Sequence, residues 1–213
     1  MRRLASAFVA AAILTSWGSV GANAQLSIDD IEAALAEDNT QLDRVDALLA
    51  SEDTNKRITA MELLLDSGNA LFIKRAKYVG LLSSDPDMRL AALKATLDAG
   101  GGWRIELDLS GVKGEDADRW VNSVTSYTGT IDPSGKHATL LYDLQPFDED
   151  QNCYPYYSSW CGFRLTGTKL AIDMANAPFI GIVELDTEGR LVGQISIKGN
   201  EIQSVPVVIP LID

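Results

Sequence analysis

The chain has 213 residues, with 30 Asp and Glu against 18 Lys and Arg, and a formal net charge of −12. Nucleic-acid binders need clustered Lys and Arg to neutralise phosphates, so this acidic balance argues against a nucleic-acid partner. Hydrophobic residues make up 46% of the chain, which is ample for a core and excludes a collagen-like or mostly disordered protein. The length allows one domain or two small ones.

The first 24 residues have the pattern of a cleaved signal peptide. Arg2 and Arg3 give a positive start, an uncharged apolar run follows, and Ala22-Asn23-Ala24 supplies the small residues of a cleavage site. The run is interrupted by Ser, Thr and Gly, whereas a membrane-spanning helix needs about 20 apolar residues. We therefore expect an exported protein, periplasmic or secreted, with no membrane span in the mature chain.

Residues 25–100 are predicted to form a helical domain, because apolar residues recur there at helical spacing. Five helices are expected, the first two of them within residues 27–50. The segment that ends in Asp85 and Pro86 predicts a helix start. Asp can cap exposed backbone N–H groups, and Pro suits the first helical position.

An internal repeat relates residues 51–68 to residues 83–100, with an offset of 32 residues. Both copies contain the motif D-x-x-x-R-x-x-A, formed by Asp53, Arg57 and Ala60 and again by Asp85, Arg89 and Ala92. The motif resembles the short HEAT-like repeats of bilin lyases over about residues 40–100. The resemblance implies stacked helical hairpins in which Asp and Arg tie adjacent repeats together, and it implies no activity. An ordinary small helical bundle is the alternative.

Residues 101–213 change to the alternating apolar and polar pattern of strands. Short turn-forming segments separate several of the candidates, which favours antiparallel pairing. We predict an α+β protein whose second part is an antiparallel β sandwich or small barrel. The expected strands are residues 103–109, 119–130, 137–144, 162–175 (with a break), 179–185, 191–198 and 203–209. Because the tail from Val205 carries two prolines, we expect it to form at most an edge strand.

The sequence contains no recognisable catalytic set. His137 is the only histidine, and it is predicted to be an exposed residue at the start of a strand. No G-x-S-x-G elbow, dinucleotide-binding fingerprint or P-loop is present. We therefore expect neither enzymatic activity nor a cofactor. A hydrolase that uses a pair of carboxylates stays an alternative, because an acidic chain offers many pairs.

One acidic segment partly matches a Ca²⁺-binding loop. Asp148, Asp150 and Asn152 follow the D-x-D-x-N opening of such loops, in which alternate oxygens face one cation. The sixth position is Cys153 and the twelfth is Ser159, where such a loop has Gly and Glu. We predict a solvated acidic loop here and no metal site.

The segment between the only two cysteines, Cys153 and Cys161, is rich in aromatic residues. In an oxidising compartment two cysteines this close in sequence are predicted to form a disulfide. A loop stiffened in this way loses less entropy on binding, and Tyr and Trp are frequent hot spots of interfaces. The candidate binding residues are therefore the four aromatic residues of the loop, Tyr154, Tyr156, Tyr157 and Trp160.

These features favour a non-catalytic periplasmic protein that binds a protein partner in the cell envelope, either as an interaction module or as an accessory subunit of an envelope complex. The alternative function is a carbohydrate-binding or peptidoglycan-binding module in which the aromatic loop stacks on sugar rings. An alternative without a binding role is that the aromatic residues fold inward and cap the β core.

Overall fold

The computed structural model describes residues 28–157, 160–174, 177–199 and 202–212. The predicted signal peptide, residues 1–24, lies outside these residues. The chain divides into two compact units, Met1–Asn39 and Thr40–Asp213. Helices precede a strand-rich part, so the predicted α+β class is confirmed. All the strands, and every residue of the site described below, belong to the second unit.

Four helices come before the first strand, and a fifth follows it. They are α1 (Ile28–Leu49), α2 (Thr54–Leu65), α3 (Ala70–Leu81), α4 (Pro86–Asp98) and α5 (Glu115–Ser126). The expectation of two helices within residues 27–50 is wrong, because α1 continues through that segment. No Gly or Pro stands between Ile28 and Leu49, so no residue there forces a break.

Capping side chains begin the helices of the repeat. Asp53 accepts hydrogen bonds from the N–H groups of Asn55 and Lys56 at the start of α2. Asp85 does the same for the second and third residues of α4, which begins at Pro86 as predicted. The two repeat aspartates therefore have the same role as N-caps, since each accepts hydrogen bonds from backbone N–H groups that have no partner inside the helix.

Nine strands of the described residues form one antiparallel sheet. They are β1 (Gly101–Asp108), β2 (Gly129–Ile131), β3 (His137–Leu144), β4 (Tyr154–Tyr157), β5 (Trp160–Thr166), β6 (Lys169–Asp173), β7 (Phe179–Leu185), β8 (Arg190–Ile197) and β9 (Val205–Pro210). Their spatial order is β2-β3-β1-β9-β8-β7-β6-β5-β4. The sheet is curled into a half-barrel. Of the two predicted architectures, these strands therefore resemble a small barrel more than a two-sheet sandwich.

Two strand predictions are corrected. The first part of the segment 119–130 is helical, with Trp120 and Val124 fully buried one helical turn apart. Only Gly129–Ile131 of that segment is a strand. The tail strand β9 is central and lies between β1 and β8. Pro206 and Pro210 are tolerated because they flank Val207 and Val208, which are the residues paired with β1.

Curling of the sheet brings its edge strand β4 back to β3. Among the described residues, β2 pairs with β3 over Ala138–Leu140, and the N–H of Gln145, just after β3, donates to Pro155 O of β4 at 2.8 Å. The stretch of β3 from Leu141 to Asp143 lies between these two connections. We call this stretch, where β3 is flanked by β2 on one end and β4 on the other, the seam of the sheet.

Candidate binding groove at the seam of the sheet

The predicted disulfide is confirmed and lies in a β hairpin. Cys153 and Cys161 are bonded, with their Cα atoms 5.8 Å apart. Strands β4 and β5 form the two arms of the hairpin, in which Pro155 pairs with Cys161 and Tyr157 pairs with Trp160. The covalent bond therefore joins the residue before β4 to the second residue of β5 and restrains the two arms.

The aromatic residues of the hairpin have different surroundings. Tyr154 is 1% exposed and Tyr156 is 6% exposed, whereas Trp160 is 41% exposed. The side chain of Tyr157 lies outside the described residues. Tyr154 and Tyr156 are two positions apart on β4, so they face the same side of the sheet and enter the core together. The expectation that the aromatic residues fold inward thus holds for these two.

Tyr154 is part of the packed core and is not available to a partner. Its hydroxyl donates to Asp98 Oδ1 at 2.9 Å, which joins the hairpin to the end of α4. Its ring lies 5.0 Å from the Phe147 ring, centroid to centroid. Burial and the Asp98 carboxylate raise the pKa of Tyr154, so the hydroxyl stays protonated and can donate. We therefore correct the prediction that Tyr154 lies on the binding surface.

Tyr156 forms an inner wall behind the seam. Its ring meets the Tyr142 ring edge-on, with centroids 5.5 Å apart, and meets the Phe163 ring edge-on at 6.3 Å. Gly162 makes room for Tyr156, because a Cβ at that position would lie 2.3 Å from the tyrosine ring. The ring is thus held by packing on several sides before any ligand arrives.

An open groove of about 480 Å³ lies at the seam. It is bounded by the end of α5, strand β3 and the disulfide hairpin, and we call it the seam groove. Most of its surface is apolar. Its lining includes Tyr127, Leu141, Tyr142, Asp143, Tyr156 and Trp160. Two of the predicted binding residues, Tyr156 and Trp160, therefore line one groove together with residues remote in sequence.

Tyr142 lines the groove and carries a buried polar atom. Its hydroxyl oxygen is buried and has no hydrogen-bond partner within the described part of the chain. Burial, with the neighbouring Tyr156 and Tyr127, raises the pKa of Tyr142 above its ordinary value, so the hydroxyl is neutral at physiological pH. Buried polar groups in native proteins normally have a partner, so this one calls for an explanation.

Asp143 carries the only charge among the groove-lining residues. Its side chain is exposed, and the amide Nε2 of Gln145 donates to its Oδ2 at 3.2 Å. No Lys or Arg lines the groove in the part of the chain that is described. The groove thus combines aromatic rings with one carboxylate.

Sequence reasoning missed Tyr127, Leu141 and Tyr142. These residues precede the cysteine-bracketed segment and reach it only because the sheet curls. The one local signal is on β3, where Tyr142 occupies an inward position between Leu140 and Leu144. An aromatic residue with a polar tip at a core position indicates a buried hydroxyl, but it does not indicate which segment it faces.

A larger hollow of about 650 Å³ lies among α2, α3 and α4. Its lining mixes acidic residues such as Glu62 and Asp66 with the basic residues Lys77 and Lys94. Lys94 pairs with Asp98 at 2.6 Å, so part of this charge is already neutralised. Among the described side chains, no aromatic ring lines this hollow, and neither do Tyr154, Tyr156 or Trp160.

The acidic loop and the histidine occupy exposed positions. Asp148 accepts hydrogen bonds from the backbone N–H and the side-chain amide of Gln151, at 3.0 and 2.7 Å. These bonds lower the pKa of Asp148 and close a turn. Over the described residues, no three His, Cys, Asp or Glu side chains are placed to hold a metal ion. His137 is exposed at the first position of β3.

No protein-family model, curated protein or solved structure matches this chain significantly. Of the helices in the described ranges, none has the length and apolar character needed to cross a bilayer.

Proposed function

We propose that this protein is a non-catalytic binding module that holds a side chain or short segment of a partner protein in the seam groove. The observation that carries this proposal is the placement of Trp160. It is 41% exposed on a disulfide-restrained hairpin, and it lines an apolar groove with Tyr142 and Tyr156. Exposed Trp and Tyr beside a groove are typical of the residues that dominate binding energy at interfaces.

Rigidity of the groove supports the proposal. Its walls are strand β3, which pairs with β1 over its whole length and with β2 over Ala138–Leu140, and a hairpin whose arms are joined covalently. Tyr156 is further held by edge-on contacts with Tyr142 and Phe163. A site that is ordered before binding loses little conformational entropy when it takes a ligand. The volume of about 480 Å³ is within the range of ligand sites and accommodates one or two large side chains.

A periplasmic or secreted location is part of the proposal. It is supported by the signal-peptide pattern of residues 1–24 and by the Cys153–Cys161 disulfide, since structural disulfides persist mainly in oxidising compartments. The proposed partner is accordingly a protein of the cell envelope. We further propose that the two repeated helical segments are HEAT-like and act as a scaffold, which is supported by the Arg57–Asp85 ion pair between them.

Carbohydrate binding is the second candidate function, because one specific juxtaposition favours it. The exposed Trp160 ring and the Asp143 carboxylate line the same groove. A sugar can stack on an aromatic ring while its hydroxyl groups donate to a carboxylate. Peptidoglycan fragments are the sugars that an envelope protein would meet.

Site-directed photo-crosslinking tests the proposed function. A photoreactive amino acid is placed at Leu141, which lines the groove and is 57% exposed, or at Ile182, which is 59% exposed on β7 and outside the groove. The two positions are matched in burial, side-chain type and strand environment. We expect one discrete protein adduct in envelope preparations from the Leu141 variant, lost when Trp160→Ala is added. Identical adducts from both positions, or an adduct that survives Trp160→Ala, would argue against the groove as the binding site.

A further inference from the structure

We infer that the seam groove selects a basic side chain, lysine or arginine, of its protein partner. This inference rests on the proposed function and adds the chemistry that the partner must present. Two features of the groove carry it: the sign of its charge and its aromatic walls.

The charge of the groove is complementary to a cation. Asp143 is its one charged lining residue, and no basic side chain in the described part of the chain competes for it. The whole protein carries a formal net charge of −12, so its field also attracts basic partners over acidic ones. An acidic segment would meet repulsion from Asp143 and gain no compensating pair.

The aromatic walls favour the same occupant. Tyr127, Tyr142, Tyr156 and Trp160 all line the groove. The face of an aromatic ring is the negative end of its quadrupole and attracts an ammonium or guanidinium group. Lysine and arginine also have long apolar stems, which can lie along Leu141 while the charged head reaches the rings and the carboxylate.

A titration with a charged ligand and its neutral isostere tests the inference. Butylguanidinium chloride and butylurea are added separately to the intact, disulfide-bonded protein at equal ionic strength. Binding is followed by NMR at the indole N–H of Trp160, which is assigned with a Trp160→Phe variant. We expect butylguanidinium to bind at least about fivefold more tightly than butylurea, as a cation between aromatic rings beside a carboxylate requires.

Two isosteric variants give the matched control. Asp143→Asn removes the charge of the groove and should reduce the preference to less than about twofold. Asp118→Asn removes the same charge from an exposed position on α5 outside the groove and should leave the preference unchanged. Equal binding of the two ligands, no binding of either, or an equal effect of the two variants would overturn the inference. Tighter binding of N-acetylglucosamine than of butylguanidinium would also overturn it, in favour of a sugar site.

The two proposals fail in different ways. A protein adduct at Leu141 without any preference for the guanidinium would support the binding function but contradict the selection of a basic side chain. A clear preference for the guanidinium without a protein adduct at Leu141 would contradict the proposed function, and with it the partner that the inference names.

Discussion

Arg57 of the first repeat donates to Asp85 of the second across 2.6 Å, so one residue of each motif joins the two copies. Asp85 is at the same time the N-cap of α4. Arg89, which matches Arg57 in the repeat, donates instead to the backbone carbonyls of Leu185 and Asp186 at the β7–β8 turn. The first arginine thus ties repeat to repeat, and the second ties α4 to the β7–β8 turn of the sheet.

Replacing Asp85 should destabilise the protein more than replacing Asp53. Both aspartates cap a helix through two backbone N–H groups, but Asp85 also accepts from Arg57. Asp53→Ala therefore measures the loss of a cap, and Asp85→Ala measures the cap together with the ion pair. Chemical denaturation of the two variants and the wild type gives the comparison. Equal unfolding free energies for the two variants would mean that the Arg57–Asp85 pair contributes nothing.

The same pair predicts a pH dependence. The hydrogen bond from Arg57 is the main reason that the pKa of Asp85 lies below its ordinary value of 3.8. A carboxyl with a lowered pKa in the folded state contributes stability that is fully present above its ordinary pKa. That stability is lost as the pH falls through the lower, folded value. Melting temperatures measured between about pH 6 and pH 2 should therefore fall less steeply for Asp85→Asn than for the wild type. Parallel curves would contradict the assignment.

Gly162 is predicted to be essential for the shape of the seam groove. A Cβ at this position would lie 2.3 Å from the Tyr156 ring, so Gly162→Ala must displace that ring. Overpacking of this kind costs about 1–3 kcal/mol. Gly102→Ala is the control, because Gly102 is also in a strand and has open space at its Cβ position. Denaturant unfolding should separate the two variants, and a Gly162→Ala protein as stable as Gly102→Ala would show that Tyr156 is loosely held.

Removing the disulfide should lower the stability measurably. Cys153 and Cys161 are eight positions apart, and closure of a loop of that length is worth about 2–3 kcal/mol in the chain-entropy account of disulfides. The double variant Cys153→Ala/Cys161→Ala should lose about this much in chemical denaturation. The wild type unfolded in the presence of a reductant should lose a similar amount and expose two thiols. A reduced protein as stable as the oxidised one would exclude a stabilising role for the bond.

Two strands could be predicted to the residue. Residues 137–144 and 179–185 are β3 and β7 with the expected bounds. The strand prediction for the segment from Arg119 was wrong because its Val and Trp residues favour strands locally. Burial of Trp120 and Val124 on one face of a helix decides the structure there. Position in the sheet could not be predicted for β9, since pairing between distant strands leaves no local pattern.

The site could be predicted in part. The two cysteines identified the segment, which was predicted as a disulfide-closed loop and is the β4–β5 hairpin, and Trp160 is an exposed aromatic residue in it. The inward direction of Tyr154 depends on which side of β4 faces the core, and the register of the hairpin is irregular there. Leu141 and Tyr142 join the site through the curl of the sheet, which is a property of all nine strands together. Such long-range geometry is not contained in any short segment.

The most direct test of the binding function is the affinity of two matched variants for the protein crosslinked at Leu141, once that protein is purified. Trp160→Ala removes the exposed ring of the seam groove, and Ile182→Ala removes an exposed apolar side chain from β7. Circular dichroism establishes that both variants are folded. We predict that Trp160→Ala raises the dissociation constant at least about tenfold, as truncation of an interface hot spot does. Ile182→Ala should leave the dissociation constant within about twofold of the wild-type value. Equal affinities of the two variants and the wild type would contradict the assignment of binding to the seam groove.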